Sequence, residues 1–271
     1  MDGTYQMLHD IIDFHNDRMR NLRRYYPFFC LQNTAFHLFK EGKYAFLDMG
    51  YITLAVLRFF IEENQFNDRA LTYPEITAFI SGVLTRDFDL LALGELLLRL
   101  SPAGNERLVR GESFQKQVGG AELNVVSGSA LLGLRTGIIS KLPANDIGRY
   151  VTNRVRFNGV SDDYLVYDES KDARLGIYYY EYGAHPRKPN VVYDRKYTTI
   201  NSVSADDFPE EMYLSAKCFH TTGITLALSP NARETAIEMI KRFKAHGTLI
   251  SFDVNFRANL WSGDEARECI E

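Results

Sequence analysis

From Asp87 onward the sequence alternates short apolar runs with longer, glycine-punctuated helical patterns, and this alternation limits the possible folds more than any other feature. "DLLALGELLLRL" (89–100) reads as two strands broken at Gly94, "RTGIISKL" (135–142) as another, and "HTTGITLAL" (220–228) and "TLISFDVN" (248–255) as later ones. Helical patterns separate them: "AELNVVSGSALLGL" (121–134), "DIGRYVTNRVRF" (146–157) and "NARETAIEMIKRFKAH" (231–246). Strands joined through helices of this length form crossover units, so the expected fold is α/β, a mostly parallel sheet with helices on both faces.

Residues 1–86 have a different character, nearly free of glycine and helically periodic. Leu8, Ile12, His15, Met19, Leu22 and Tyr26 recur at steps of four and three, which makes one apolar stripe of a helix that Pro27 stops. "YAFLDMGYITLAVLRFFIEEN" reads as a buried second helix, and "TYPE" (72–75) as a capping box opening a third. The expected organisation is therefore an all-α module over 1–86 followed by an α/β domain over 87–271. His15 reads as a packed side chain. Arg18, Arg20, Arg23 and Arg24 near the end of the first helix oppose its dipole, and a nucleic-acid or protein adaptor built on them is the competing reading for this segment.

Charge and cysteine usage narrow the class of protein. A formal charge of −4 over 271 residues supplies no basic excess for nucleic acid or an anionic membrane. Cys30, Cys218 and Cys269 are far apart and odd in number, so neither a disulfide framework nor a zinc site is expected. The apolar run "YITLAVLRFFI" is interrupted by Arg58 and is shorter than the ~20 residues a spanning helix needs. The chain reads as cytoplasmic, with no membrane partner and no metal site.

Several stretches carry polar groups in patterns that suit a small ligand. Gly119 and Gly120 in "QVGGAELNVV" allow a tight turn and leave the first amides of the following helix uncovered. Ser127, Gly128, Ser129 and Ala130 are small enough to let that helix lie close on a sheet. In "GIYYYEYGAHPRKPNVVYDRKYTTI", Tyr178, Tyr180 and Tyr182 alternate onto one face of a strand, "HPRKPN" turns the chain, and Tyr193, Arg195 and Tyr197 alternate along the next. Tyrosine offers a flat apolar face with a hydroxyl, and arginine meets a carboxylate through two hydrogen bonds, so this hairpin suits a sugar acid; it would equally serve as a half-buried hairpin whose tyrosines only pack. "DVNFR" closes a presumed parallel strand, which puts Asn255 and Arg257 where open α/β sheets bind ligands.

Taken in order, "GGAELNVVSGSALLGL", "LPANDIGRYVTNRVRFNGV", "GIYYYEYG", "VVYDRKYTTI", "FHTTGITLALS" and "FDVNFRANLW" resemble the ribokinase-like (PfkB) carbohydrate kinases, in particular the 2-keto-3-deoxygluconate kinase branch, over 87–271. The resemblance implies a doubly wound ribokinase-like sheet with a small β lid over the sugar, and a homodimer through that lid. It also implies ATP and Mg2+ as cofactors, and sugar or sugar-acid contacts from Gly119, Gly120, Asn124, Tyr178, Tyr193, Arg195, Asn255 and Arg257. Members of the family carry their catalytic base in a Gly-Ala-Gly-Asp motif well downstream of "DVNFR", and this sequence has none. Its nearest imitation, "SGDEA" (262–266), is placed to open a helix, with Ser262 and Glu265 as a capping box and Asp264 as a helix-start carboxylate. The resemblance thus implies a truncated kinase domain that keeps the sugar side and is inactive alone, with an exposed sheet edge; the alternative is a non-catalytic sugar-acid binding protein.

Overall fold

The computed structural model describes residues 86–271, and a compact unit spans Asp87–Glu271. The helical readings over 1–85, the arginine cluster, His15 and Cys30 lie outside the described residues.

Five parallel strands make the main sheet: β1 (Phe88–Leu93), β4 (Thr136–Pro143), β5 (Leu165–Asp168), β8 (Ala216–Thr222) and β9 (Leu249–Asp253). Their spatial order is β5-β4-β1-β8-β9, so the chain winds outward from β1 on one side before returning to fill the other. The strand order therefore reverses between β1 and β8, at whose carboxyl ends ligands collect in such sheets.

Burial on both faces explains the apolar run Leu90–Leu93 in β1. Leu91, Leu93, Ile139 and Phe219 pack with Met239 and Phe243 of α4 (Pro230–Ala245). Leu90, Ala92, Ile138 and Leu142 pack on the opposite face with Leu123 and Val126 of α1 (Ala121–Leu131) and with Val151 and Val155 of α2 (Asp146–Phe157). Asn145 caps α2, its side-chain oxygen accepting from the amides of Ile147 and Gly148 at 3.0 Å each. Gly148 sits so near the preceding strand that a Cβ would stand 2.0 Å from the Pro143 carbonyl oxygen. No such crowding surrounds Gly128, where a Cβ would meet open space; Leu123 and Val126 bring α1 onto the sheet, with Ala130 alone of the small-residue run packed against that core.

Two readings are corrected here. "HTTGITLAL" is strand only as far as Thr222, where the threonine side chain accepts from the Ile224 amide and turns the chain into α3 (Gly223–Ala227). The expected lid hairpin is one half of a four-stranded sheet, whose strands lie in the order 114–119, 97–102, 176–181 and 190–194. Its members are β2 (Leu97–Pro102), β3 (Phe114–Gly119), β6 (Gly176–Glu181) and β7 (Asn190–Asp194). The second half of "DLLALGELLLRL" thus leaves the main sheet at Gly94–Glu95 and enters the lid, pairing parallel with β6. Strand β3, "FQKQVG", escaped the sequence reading because four of its six residues are solvent-exposed and its centre is polar.

Candidate sugar site

A cavity of about 570 Å³ lies between the lid and the carboxyl ends of β1, β8 and β9. One row of paired residues crosses the lid above it, Gln117 on β3, Arg99 on β2, Tyr178 on β6 and Tyr193 on β7. Because side chains alternate along a strand, this register puts Arg99, Tyr178 and Tyr193 on one face, and all three line the cavity together with Tyr180 two residues on. The Tyr178 and Tyr193 rings stand 5.8 Å apart, tilted at 32°. Burial pushes the Tyr178 phenol above its ordinary pKa, with Arg99 pulling the other way.

Below the lid, the link from β1 to β2 supplies Glu95, which is 3% exposed. Its carboxylate is ion-paired with Arg195 and accepts from the Thr198 hydroxyl at 3.4 Å. Glu95 follows β1 in the main sheet while Arg195 follows β7, so this pair ties the base of the lid to the body. Burial raises the carboxyl pKa of Glu95 and the Arg195 charge opposes that rise. Glu122, in the first turn of α1, is likewise buried, and one of its oxygens accepts from the Thr222 amide at 3.1 Å and from the Thr222 and Thr225 hydroxyls at 2.7 Å each. Burial lifts its pKa too, against those three donors. Gly94 makes room for it, since a Cβ there would stand 2.3 Å from the other Glu122 oxygen.

Of the eight residues singled out from the sequence, Gly120, Asn124, Tyr178, Tyr193, Arg195, Asn255 and Arg257 line this cavity. Gly119 stands behind it, where a Cβ would press on the Tyr178 hydroxyl at 2.7 Å. Asn255 has a positive φ of 34°, and its amide donates to Asp253 at 2.9 Å, an Asx turn that aims the "NFR" segment back toward the cavity. Tyr197 departs from the expected alternation, with a φ of 54° and 88% exposure. Glu95, Arg99, Glu122, Thr222 and Asp253 also line the site and were missed. Glu95 was detectable as a charge inside an otherwise apolar run; Glu122 and Thr222 offered no local signal, being brought together across 100 residues.

Asp264 lies outside the cavity, in the first turn of α5 (Gly263–Ile270), where it pairs with Arg267 at 2.5 Å. The Ser262 and Glu265 capping box forms as expected, Glu265 accepting from the Ser262 amide at 2.7 Å and Ser262 from the Glu265 amide at 3.2 Å. Among the described residues no three His, Cys, Asp or Glu side chains converge as a metal site, and no helix is long and apolar enough to cross a membrane.

Comparison with known proteins gives this geometry a lineage. The chain is 39% identical over 183 residues to the 2-dehydro-3-deoxygalactonokinase of Haloferax volcanii, covering 68% of this chain and 57% of that protein. The 2-dehydro-3-deoxygluconokinase structure from Thermotoga maritima superposes with a TM-score of 0.63 at 36% identity, over 67% of this chain and 55% of that one. A sugar kinase structure from Pyrococcus horikoshii in complex with ATP gives a TM-score of 0.58 at 29% identity, over 67% of this chain and 57% of that one. The chain thus spans little more than half the length of these relatives. The model of the pfkB family of carbohydrate kinases matches residues 87–271, and the sheet and helices superpose on the structures above, so the chain belongs to that family.

Proposed function

We propose that this chain grips a 2-keto-3-deoxy sugar acid for ATP-dependent phosphorylation, as the names of its relatives suggest. The observation that carries the reading is the meeting of Tyr178, Tyr193, Arg195, Asn255 and Arg257 around one cavity at the point where the strand order reverses. Tyrosine faces would cover the carbon chain of the sugar acid, and a guanidinium group among those lining the cavity would balance its carboxylate. In this reading 87–271 is the working domain, ATP with Mg2+ is the phosphoryl donor, and the location is the cytoplasm. The lid would also pair two copies of the chain, since Val192 and Phe114 on its outer strands are 49% and 44% exposed.

Binding without turnover by this chain alone is the second reading, and the state of the carboxylates favours it. A base at the acceptor hydroxyl needs a free carboxylate within hydrogen-bond reach. Glu95 is held by Arg195, Glu122 by three donors and Asp253 by the Asn255 amide of its Asx turn, and Asp264 points away at Arg267. Titration calorimetry with 2-keto-3-deoxygluconate and with glucose, run beside an ADP-release assay on the same preparation, tests both readings. Saturable binding of the acid without that of glucose supports the sugar-acid site, and sugar-dependent ADP release decides for turnover. Binding of glucose but not of the acid would overturn the substrate class.

A further inference from the structure

We propose that Arg99 sets the selectivity of this cavity for a carboxylate over a neutral group of the same shape, an inference that rests on the sugar-acid reading above. Three guanidinium groups line the cavity, and they differ in what already holds them. Arg195 is ion-paired with buried Glu95, so most of its charge is spent within the protein. Arg257 is exposed, and water screens it. Arg99 has neither condition. No carboxylate stands within ion-pair distance of it among the described residues, and its Nε is buried without a hydrogen-bond partner.

What does hold Arg99 is aromatic. Its guanidinium carbon lies 5.2 Å from the centre of the Tyr180 ring and 5.6 Å from that of Tyr182, and one Nη donates to the Tyr182 hydroxyl at 2.5 Å. The Tyr180 and Tyr182 rings meet edge to face at 5.0 Å, which fixes the two walls of this cradle. Ring faces attract a cation without neutralising it. The result is a planar, partly dehydrated fork with donors to spare, held rigid in the middle of the cross-strand row whose next members are Tyr178 and Tyr193. A fork of this kind fits a carboxylate through two parallel hydrogen bonds, and a charge withheld from water gains most from an anionic partner. Nothing local singles it out, because "DLLALGELLLRL" reads only as strand broken at Gly94.

The test compares 2-keto-3-deoxygluconate with its uncharged methyl ester by calorimetry on the full chain. Wild type is expected to prefer the acid, and Arg99→Met to lower the acid-to-ester affinity ratio by about tenfold or more, the scale of a hydrogen bond to a charged group. Arg257→Met is expected to change the ratio about threefold or less. A purely structural role for Arg99 would weaken acid and ester alike and leave the ratio where it was; that outcome overturns the proposal while the sugar-acid reading stands. If circular dichroism shows Arg99→Met unfolded, Arg99→Lys, which keeps the charge without the fork, is read instead: a lowered ratio supports the proposal and an unchanged one overturns it. Equal binding of acid and ester by the wild type would remove the sugar-acid reading and this inference with it.

Discussion

Replacing Glu122 tests whether the floor of the cavity is held by one buried carboxyl. Its oxygen accepts from the Thr222 amide and from two threonine hydroxyls, and the residue is 1% exposed. In Glu122→Ala the hydroxyls can rotate toward other acceptors, but the Thr222 amide is fixed by β8 and loses its partner. A buried donor left unsatisfied costs about 1–3 kcal/mol, and the lost anchor of α1 adds to that, so we expect a loss of about 3 kcal/mol. At about 2–4 °C per kcal/mol for a domain of this size, the melting temperature should fall by roughly 6–12 °C. Glu122→Gln keeps a carbonyl acceptor and should lose about 1 kcal/mol or less near neutral pH.

The pH dependence sharpens the test. Because burial raises the folded pKa of Glu122 above its ordinary 4.5, the folded chain holds this proton more tightly than the unfolded one. Its contribution is therefore complete below about pH 4.5 and declines as pH climbs through the raised folded value. The glutamine variant cannot ionise and should flatten that decline. Urea unfolding of the full chain at a series of pH values, followed by tryptophan fluorescence of buried Trp261, measures both effects. Glutamine as destabilising as alanine, or a pH slope unchanged by glutamine, would refute the reasoning.

Three further outcomes follow from other contacts. Gly148→Ala should destabilise the fold by about 1–3 kcal/mol in the same urea assay, because its methyl group would stand 2.0 Å from the Pro143 carbonyl oxygen. Removing either Glu95 or Arg195 should cost about 3–5 kcal/mol, whereas the paired change Glu95→Leu with Arg195→Met should cost less than the two single losses together, a non-additivity read by a double-mutant cycle. Cys218, whose thiol burial pushes up to about 11, should resist iodoacetamide at pH 8 in the folded chain and react once urea exposes it, as peptide mass spectrometry would show.

The lid shows where sequence reading succeeds and where it stops. Its hairpin was legible because β6 and β7 are neighbours in the chain, with tyrosines alternating at period two and a turn between them. Its other half was not. Strand β2 looks from sequence like any buried strand of the main sheet, and β3 is too polar and exposed to announce itself. The two covered faces of the main sheet were expected because strands joined through helices form crossover units. α3 was misread because "GITLAL" is equally apolar as strand or helix, and the Thr222 cap that decides the matter acts through a single side-chain hydrogen bond.

By itself, then, the sequence determined the strand and helix alternation, the family resemblance and the residue types able to hold a sugar acid, all of which depend on local period or on ordered motifs. The tertiary structure alone decided which charges are free to do so. Arg195 and Glu95 are 100 residues apart and cancel one another, Glu122 is consumed by Thr222 and Thr225, and Arg99 is left among tyrosine rings with no counterion among the described residues. Pairing of this sort depends on distance in space and on exclusion of water, and neither is written in the spacing of residues along a chain.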